Sequence, residues 1–278
     1  MSRALAERHP HAFVTGVSTG LGRAFAEMLL DEGVRVWGTA RDVVRLTDLA
    51  KRYPALFTAV SLDLDEPIAA EAAFARAANY VGGVFGLVIN NAGYGVFGDF
   101  EAADAAVWHK QIDGMLGTTL RLNHAALRAM RRAGQGCIVN VSSLAVEFPL
   151  PFMSGYNMAK AGLSALSESL IVETRGTKIK VIDFRPGDFR TDFNQAMLTS
   201  SAVAVHEPAA TAWRVLEKHL QAAPPPSVAA DDLRRALLRG RSGTVRSGSF
   251  FQARVAPNLA RLLPHSLRRS MAAHYFGL

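Results

Sequence analysis

Short apolar runs alternate with amphipathic stretches along most of the chain. Ala12-Phe13-Val14 reads as a strand that ends at Thr15-Gly16. Leu21 to Glu32 follows as a helix, with Phe25, Met28 and Leu29 spaced to bury one face, and Gly33 closes it. Val34 to Ala40 predicts a second strand. A helix over Arg41–Arg52 then leads through Pro54 to a third strand over Leu56–Leu62. The alternation continues with an alanine-rich helix over Ala69–Tyr80 and a fourth strand over Val84–Ile89. Two long helical patterns, about Ala103–Ala133 and Ser154 to Arg175, flank a strand over Cys137–Val141, and Lys178–Phe184 is the sixth strand. Strands alternating with helices argue for a parallel sheet covered on both faces. The expected fold is α/β, a doubly wound Rossmann-like sheet of about seven strands, with the seventh near 243–251.

After Pro186 the pattern loosens. Residues 187–206 read as loop and short helix, and Pro208–Ala222 as a helix stopped by Pro224-Pro225-Pro226. The stretch 240–249, rich in Gly, Ser and Arg, reads as a turn or mobile loop. The length of 278 residues suits one α/β domain with an extension. No apolar run approaches the ~18 residues of a membrane span, and Met1 to His11 has no apolar core of a secretory signal. The single cysteine, Cys137, excludes a disulfide framework within the chain, is expected to be a buried strand residue, and makes the cytoplasm the natural setting. Charge is uneven. Residues 233–278 hold nine arginines and no acid, while the preceding 232 residues carry a net charge of −2. Such a tail points to an acidic partner or surface, or to a solvated face.

Three motifs carry chemistry. Thr15-Gly16-Val17-Ser18-Thr19-Gly20-Leu21-Gly22 lies between a strand and a helix, where glycines allow close approach of backbone to a phosphate and the helix N-terminus supplies free N–H groups. Asn90-Asn91-Ala92-Gly93 follows the fourth strand, at a carboxyl end where ligands of doubly wound sheets sit; alone it is equally a turn. Tyr156 and Lys160 are four apart and share a helical face, thirteen and seventeen residues after Ser143. A phenol has a reference pKa near ~10, and an adjacent ammonium lowers it toward use as an acid or base near neutrality. The eight histidines form no convincing metal-ligand frame.

With these motifs in this order, residues 12–195 resemble the short-chain dehydrogenase/reductase family in its ordinary ~250-residue form. The resemblance implies that Tyr156 is acid in reduction and base in oxidation, that Lys160 holds the nicotinamide ribose and lowers the tyrosine pKa, and that Ser143 orients substrate. It implies a cofactor site made of Gly16, Ser18, Thr19, Gly20, Leu21, Gly22, Asn90, Ala92, Gly93, Tyr156 and Lys160. Asp63 and Leu64 would border adenine, and Pro186, Gly187 and Thr191 the nicotinamide. A single Rossmann-type domain over 1–278 is then expected, with 12–195 as cofactor-binding and catalytic core and 196–278 as substrate loop and basic extension. The extension, ending in Tyr275-Phe276-Gly277-Leu278, looks most like the branch resembling 17β-hydroxysteroid and retinol dehydrogenases.

One position departs from the family. An asparagine of an Asn-x-x-Gly pattern is expected where Gly114-Met115-Leu116-Gly117 stands, so Gly114 replaces a member of a proton relay. The cofactor preference rests on Gly38-Thr39-Ala40-Arg41-Asp42. Ala40 stands where NAD-using members carry an acid, and Arg41 suits a 2′-phosphate, which favours NADP(H) over NAD(H). Asp42 is expected to face solvent. The resulting expectation is an NADP(H)-dependent oxidoreductase interconverting an alcohol and a ketone or aldehyde on an apolar small-molecule substrate, a bulky one if the branch resemblance holds. The runner-up is a catalytically weak NADP(H)-binding sensor or assembly protein. Phe148 to Met153 are either a substrate wall or plain packing. Ala159, Ala161, Gly162 and Ala165 suit close helix approach in a homodimer or homotetramer. Leu267, Met271, Tyr275 and Leu278 recur at helical spacing, as a lid, a packing element or a membrane-surface helix; nucleic acid is the weakest option.

Overall fold

The computed structural model describes residues 4–191, 197, 206–260 and 262–278, so most of the 187–206 segment lies outside the described residues. The strands are β1 His11–Val14, β2 Arg35–Ala40, β3 Phe57–Ser61, β4 Leu87–Asn90, β5 Gln135–Val141, β6 Lys178–Pro186 and β7 Gly243–Ser247. They form one sheet in the order β3-β2-β1-β4-β5-β6-β7, with every pairing parallel. The order reverses between β1 and β4, where the carboxyl ends of the strands open a crevice.

Successive side chains of each strand enter different cores. Ala12, Val14, Val36, Val139 and Phe184 pack on one face, and Phe13, Trp37, Ile138 and Ile179 on the other. The helices are α1 Ala4–Arg8, α2 Gly20–Asp31, α3 Thr47–Arg52, α4 Pro67–Asn79, α5 Ala105–Ile112, α6 Thr118–Ala133 and α7 Ser154–Glu173. After β6 come α8 Glu207–Gln221, α9 Pro226–Arg239, α10 Ala256–Ala260 and α11 His265–Tyr275. Residues of α2, α3 and α9 cover the first face, and those of α4, α6 and α7 the second. With both faces covered, strand residues of either parity must be apolar, which explains the unbroken apolar runs. Cys137 is buried in β5, and burial pushes its thiol up to about 12.

Four expectations change. The long pattern over 103–133 is two helices joined by a π-helical turn, Asp113–Gly117. The stretch after β2 opens with a 3₁₀ turn, Val43–Leu46, because Asp42 Oδ1 accepts a hydrogen bond from the Val44 N–H at 2.9 Å and caps it. The three prolines do more than stop a helix. Pro226 opens α9, at a position whose missing N–H costs nothing. Finally, 240–249 is not a mobile loop: the expected seventh strand lies there, as β7, paired with β6.

The basic segment therefore begins as part of the core. Leu233 and Leu237 of α9 are buried with Phe25 and Leu29 of α2, and Arg234 pairs with Glu32 at 2.5 Å. Truncating Leu233, which is fully buried, should cost about 2–5 kcal/mol as a cavity in a packed core. Leu233→Ala measured by urea unfolding checks this; a loss under ~0.5 kcal/mol is what a surface position would give.

Candidate active site

The turn after β1 is built by backbone demands. Gly16 has φ +71° and Gly20 φ +60°, left-handed values that favour glycine. A Cβ on Gly22 would fall 2.1 Å from the Gly16 carbonyl oxygen, so the first turn of α2 lies directly against the loop. Thr19 precedes that helix and its side chain makes no capping bond, leaving the first-turn N–H groups to another acceptor. Three loops are tied together here. Thr15 Oγ1 accepts from the N–H groups of Asn91 and Ala92, both at 2.9 Å. Asn91 Nδ2 donates to the carbonyls of Thr15 and Gly16, and Thr39 Oγ1 accepts from the Gly16 N–H at 3.1 Å.

The reactive groups stand at the end of β5 and on α7. Lys160 is buried and its Nζ donates to the Val141 carbonyl at 2.7 Å, with the ammonium 5.7 Å from the centre of the Tyr156 ring. Burial holds Lys160 down at about 8, opposed by the charge of Asp183. Tyr156 moves upward. Burial is the largest influence on it, a hydrogen bond with the Ser143 hydroxyl lowers it, and the Asp188 charge raises it again. The shift is opposite to the expected lowering, and the group that lowers it is Ser143, not Lys160. Ser143 Oγ also accepts from the Ala145 N–H at 3.0 Å, which fixes the turn that carries it. Asp183, fully buried in β6, accepts from Ser142, from Ser164 of α7 at 2.7 Å and from Arg185 at 2.8 Å. Arg185 reaches on to Glu147, which also receives Arg246 of β7.

These elements enclose one cleft of about 580 Å³. Every residue assigned to the site from the sequence lines it except Asn90. Asn90 points into the interior, where its Nδ2 donates to Asn140 Oδ1 at 2.9 Å; its neighbour Asn91 lines the cleft instead. The glycine cradle, the uncapped helix start and the guanidinium groups of Arg41 and Arg45, which make no ion pair among the described residues, fit a nicotinamide dinucleotide. Arg45 was missed in the sequence because it lies in what read as an ordinary helix. At the far end Phe148, Pro149, Leu150 and Met153 form an apolar wall, so that segment serves the cleft, and Leu216 and Leu220 of α8 extend it. Leu259, Arg268, Met271 and Tyr275 of the basic segment complete it, while Phe276 packs with Phe97, Met153 and Leu216.

Gly114 has a local reason. A Cβ there would lie 2.7 Å from Asp65 Oδ1, and Asp65 is held by Lys110 at 3.1 Å and Tyr94 at 3.3 Å. An asparagine side chain enters only if Asp65 moves. Asp113 is exposed and takes no part. Gly162 is used within the chain, since a Cβ there would meet Leu116 at 2.6 Å. Among the described residues no cluster could hold a metal ion, and no helix is long and apolar enough to cross a membrane.

Comparison with known proteins agrees with this geometry. The short chain dehydrogenase family pattern matches residues 10–201. The chain is 35% identical over 167 residues to oxidoreductase calM of Penicillium decumbens, a stretch taking in 58% of this chain and 55% of that one, so it spans about half of that relative's length. A solved short-chain dehydrogenase from Streptomyces avermitilis is similar at 30% identity and TM-score 0.80, over 96% of both chains. Another, from Sphingobium yanoikuyae in complex with NADPH, is similar at 25% identity and TM-score 0.73 over 94% of both chains.

The buried lysine gives a pH signature. Its folded value of about 8 lies below the ordinary 10.5, so between the two the unfolded chain binds more protons than the folded one. The stability of the cofactor-free chain should therefore rise with pH from about 8 to about 10, where tyrosines begin to interfere. Thermal melts of wild type and Lys160→Met across this window test it: the gap between the curves should change with pH, and parallel curves would refute the assignment.

Proposed function

The chain belongs to the short chain dehydrogenase family, and on that footing we propose that it interconverts an alcohol and a ketone or aldehyde on an apolar substrate, with NADP(H) preferred over NAD(H). The observation that carries this reading is the meeting of Tyr156, Ser143 and Lys160 in one cleft with a glycine turn at one end and an apolar wall at the other. A bound nicotinamide supplies or accepts the hydride. Ser143 donates to the substrate oxygen. Tyr156, kept protonated by burial, gives its proton to that oxygen in reduction and takes one back in oxidation. Lys160, fixed by the Val141 carbonyl, faces the ribose side. Leu150, Met153, Leu216 and Leu220 exclude water and favour an apolar substrate.

The NADP(H) preference is supported by Arg41 and Arg45 on the cleft wall, by Ala40 in place of an acid, and by Asp42, which is exposed and occupied as a cap. Within the family, the C-terminal wall of the cleft favours the branch resembling 17β-hydroxysteroid and retinol dehydrogenases. On this reading 12–195 is the cofactor-binding and catalytic core of a single domain, and 196–278 adds substrate wall and sheet edge. The buried cysteine suits the cytoplasm. Exposed Leu120 and Met158, with Ala161 and Ala165, support pairing of α6 and α7 between subunits of a homodimer or homotetramer.

Tyr156→Phe should lower turnover by at least ~10²–10⁴-fold while NADPH affinity stays close to wild type, read by nicotinamide fluorescence. Near-normal turnover would sink the assignment. Arg41→Ala and Arg45→Ala together should weaken NADPH by at least the roughly 1.5–3 kcal/mol of one charge-assisted hydrogen bond and leave NADH nearly unchanged. Equal losses for the two cofactors, measured by titration, would remove the 2′-phosphate reading.

A further inference from the structure

The substrate end of the cleft holds one acid among the described residues. Asp63 and Asp65 line the end near Arg41, but Asp188 stands between Gly187 and Phe189 on the wall shared with Tyr156 and Tyr275. A carboxylate in a wall this rich in apolar side chains is costly unless something binds it. Its support is built. Gln252 Nε2 donates to Asp188 Oδ2 at 2.5 Å. The Gln252 amide lies over Gly187 and Gly248, where an added Cβ would come 3.0 and 3.4 Å from its Oε1. The Gly187 N–H donates to the Ser247 carbonyl at 2.8 Å, so β7 and the turn after it carry Gln252 to this place.

The Asp188 side chain lines the cleft and is partly exposed there. Burial raises the Asp188 pKa, while Gln252 and the charge of His219, stacked on Tyr275 at 4.5 Å, pull it back. Its charge is felt at both the Tyr156 and Tyr275 phenols. A carboxylate thus lines the cleft with Tyr156 and Tyr275, held in place by the Gln252 amide.

We propose that Asp188, positioned by Gln252, is a specificity-determining acceptor that selects substrates carrying a hydrogen-bond donor, a hydroxyl or an ammonium, close to the reacting carbon. This rests on the alcohol/carbonyl reading above. A pocket built to bond such a group discriminates against the analogue that lacks it, because the carboxylate is then left without its partner. The preference refines the apolar substrate class: an aliphatic body with one polar group beside the carbonyl.

The test uses three straight-chain ketones of equal length, reduced with NADPH: a methyl ketone, the hydroxymethyl ketone and the aminomethyl ketone. A neighbouring heteroatom activates a carbonyl on its own, so the quantity read is each kcat/KM ratio in wild type divided by the same ratio in Asp188→Ala. A value of about tenfold or more is expected for the hydroxy compound, the amino compound or both, and identifies the donor. Gln252→Ala should give a smaller shift in the same direction. NADPH binding by fluorescence reports folding, and Asp188→Asn, which keeps the shape and loses the charge, replaces the alanine variant if that binding is lost. Ratios equal in wild type and variant overturn the assignment and leave the reductase reading standing. Absence of turnover with all three ketones overturns the reductase reading, and this assignment with it.

Discussion

A carboxylate with no exposure to solvent has to be matched by donors, and Asp183 draws its donors from three elements at once. Ser142 comes from the end of β5, Ser164 from the middle of α7 and Arg185 from β6 itself. Losing Arg185 would leave the charge without its counter-ion in the interior, a penalty of several kcal/mol, and losing either hydroxyl would remove a hydrogen bond to a charged group. The arrangement therefore fixes the distance between the strand end that presents Ser143 and the helix that presents Tyr156 and Lys160. Arg185 passes the constraint on to Glu147 and so to Arg246, which brings the edge strand into the same frame. The spacing of the three reactive side chains is inherited from this buried charge more than from any contact among themselves.

The two ends of the cleft have different origins. The dinucleotide end is made by turns after β1, β2 and β4, cross-tied by Thr15, Thr39 and Asn91. The substrate end is made by side chains whose partners lie far apart in the sequence, such as Phe97 against Trp213 at 5.0 Å and Phe276 against Met153. Phe152 holds φ +60° there, an unusual value for an aromatic residue, while its carbonyl accepts from the Gly98 N–H. One end is set by local backbone geometry and the other by long-range packing.

That difference explains what could be read in advance. The six strands before Pro186 and the glycine turn are local signals, and they stood where the apolar runs and glycines put them. The helix Pro226–Arg239 was not visible because its first residue belongs to a triple proline, which reads as a stop when the helix that follows is not weighed. The seventh strand was expected near 243–251, but because Gly243–Ser247 is short and polar, only its pairing with β6 sets its bounds. Asn90 was grouped with its neighbours because a motif does not tell which side chain faces inward; the alternation of β4 sends it toward Asn140. Arg45 and Gln252 were illegible for a plainer reason. Neither belongs to a motif, and each reaches the cleft only through the fold.

The start of α2 carries a thermodynamic consequence. Its N-cap side chain makes no bond to the first turn, and the loop presses close enough that no larger residue fits at Gly22. Natural helices usually gain about 1 kcal/mol from a capping side chain at this place. An anion accepting those N–H groups would do the work of the missing cap. Ligand affinity and the local cohesion of the first helical turn are then two readings of one equilibrium. Phosphate-bearing ligands should protect this turn from hydrogen exchange ahead of the rest of the sheet.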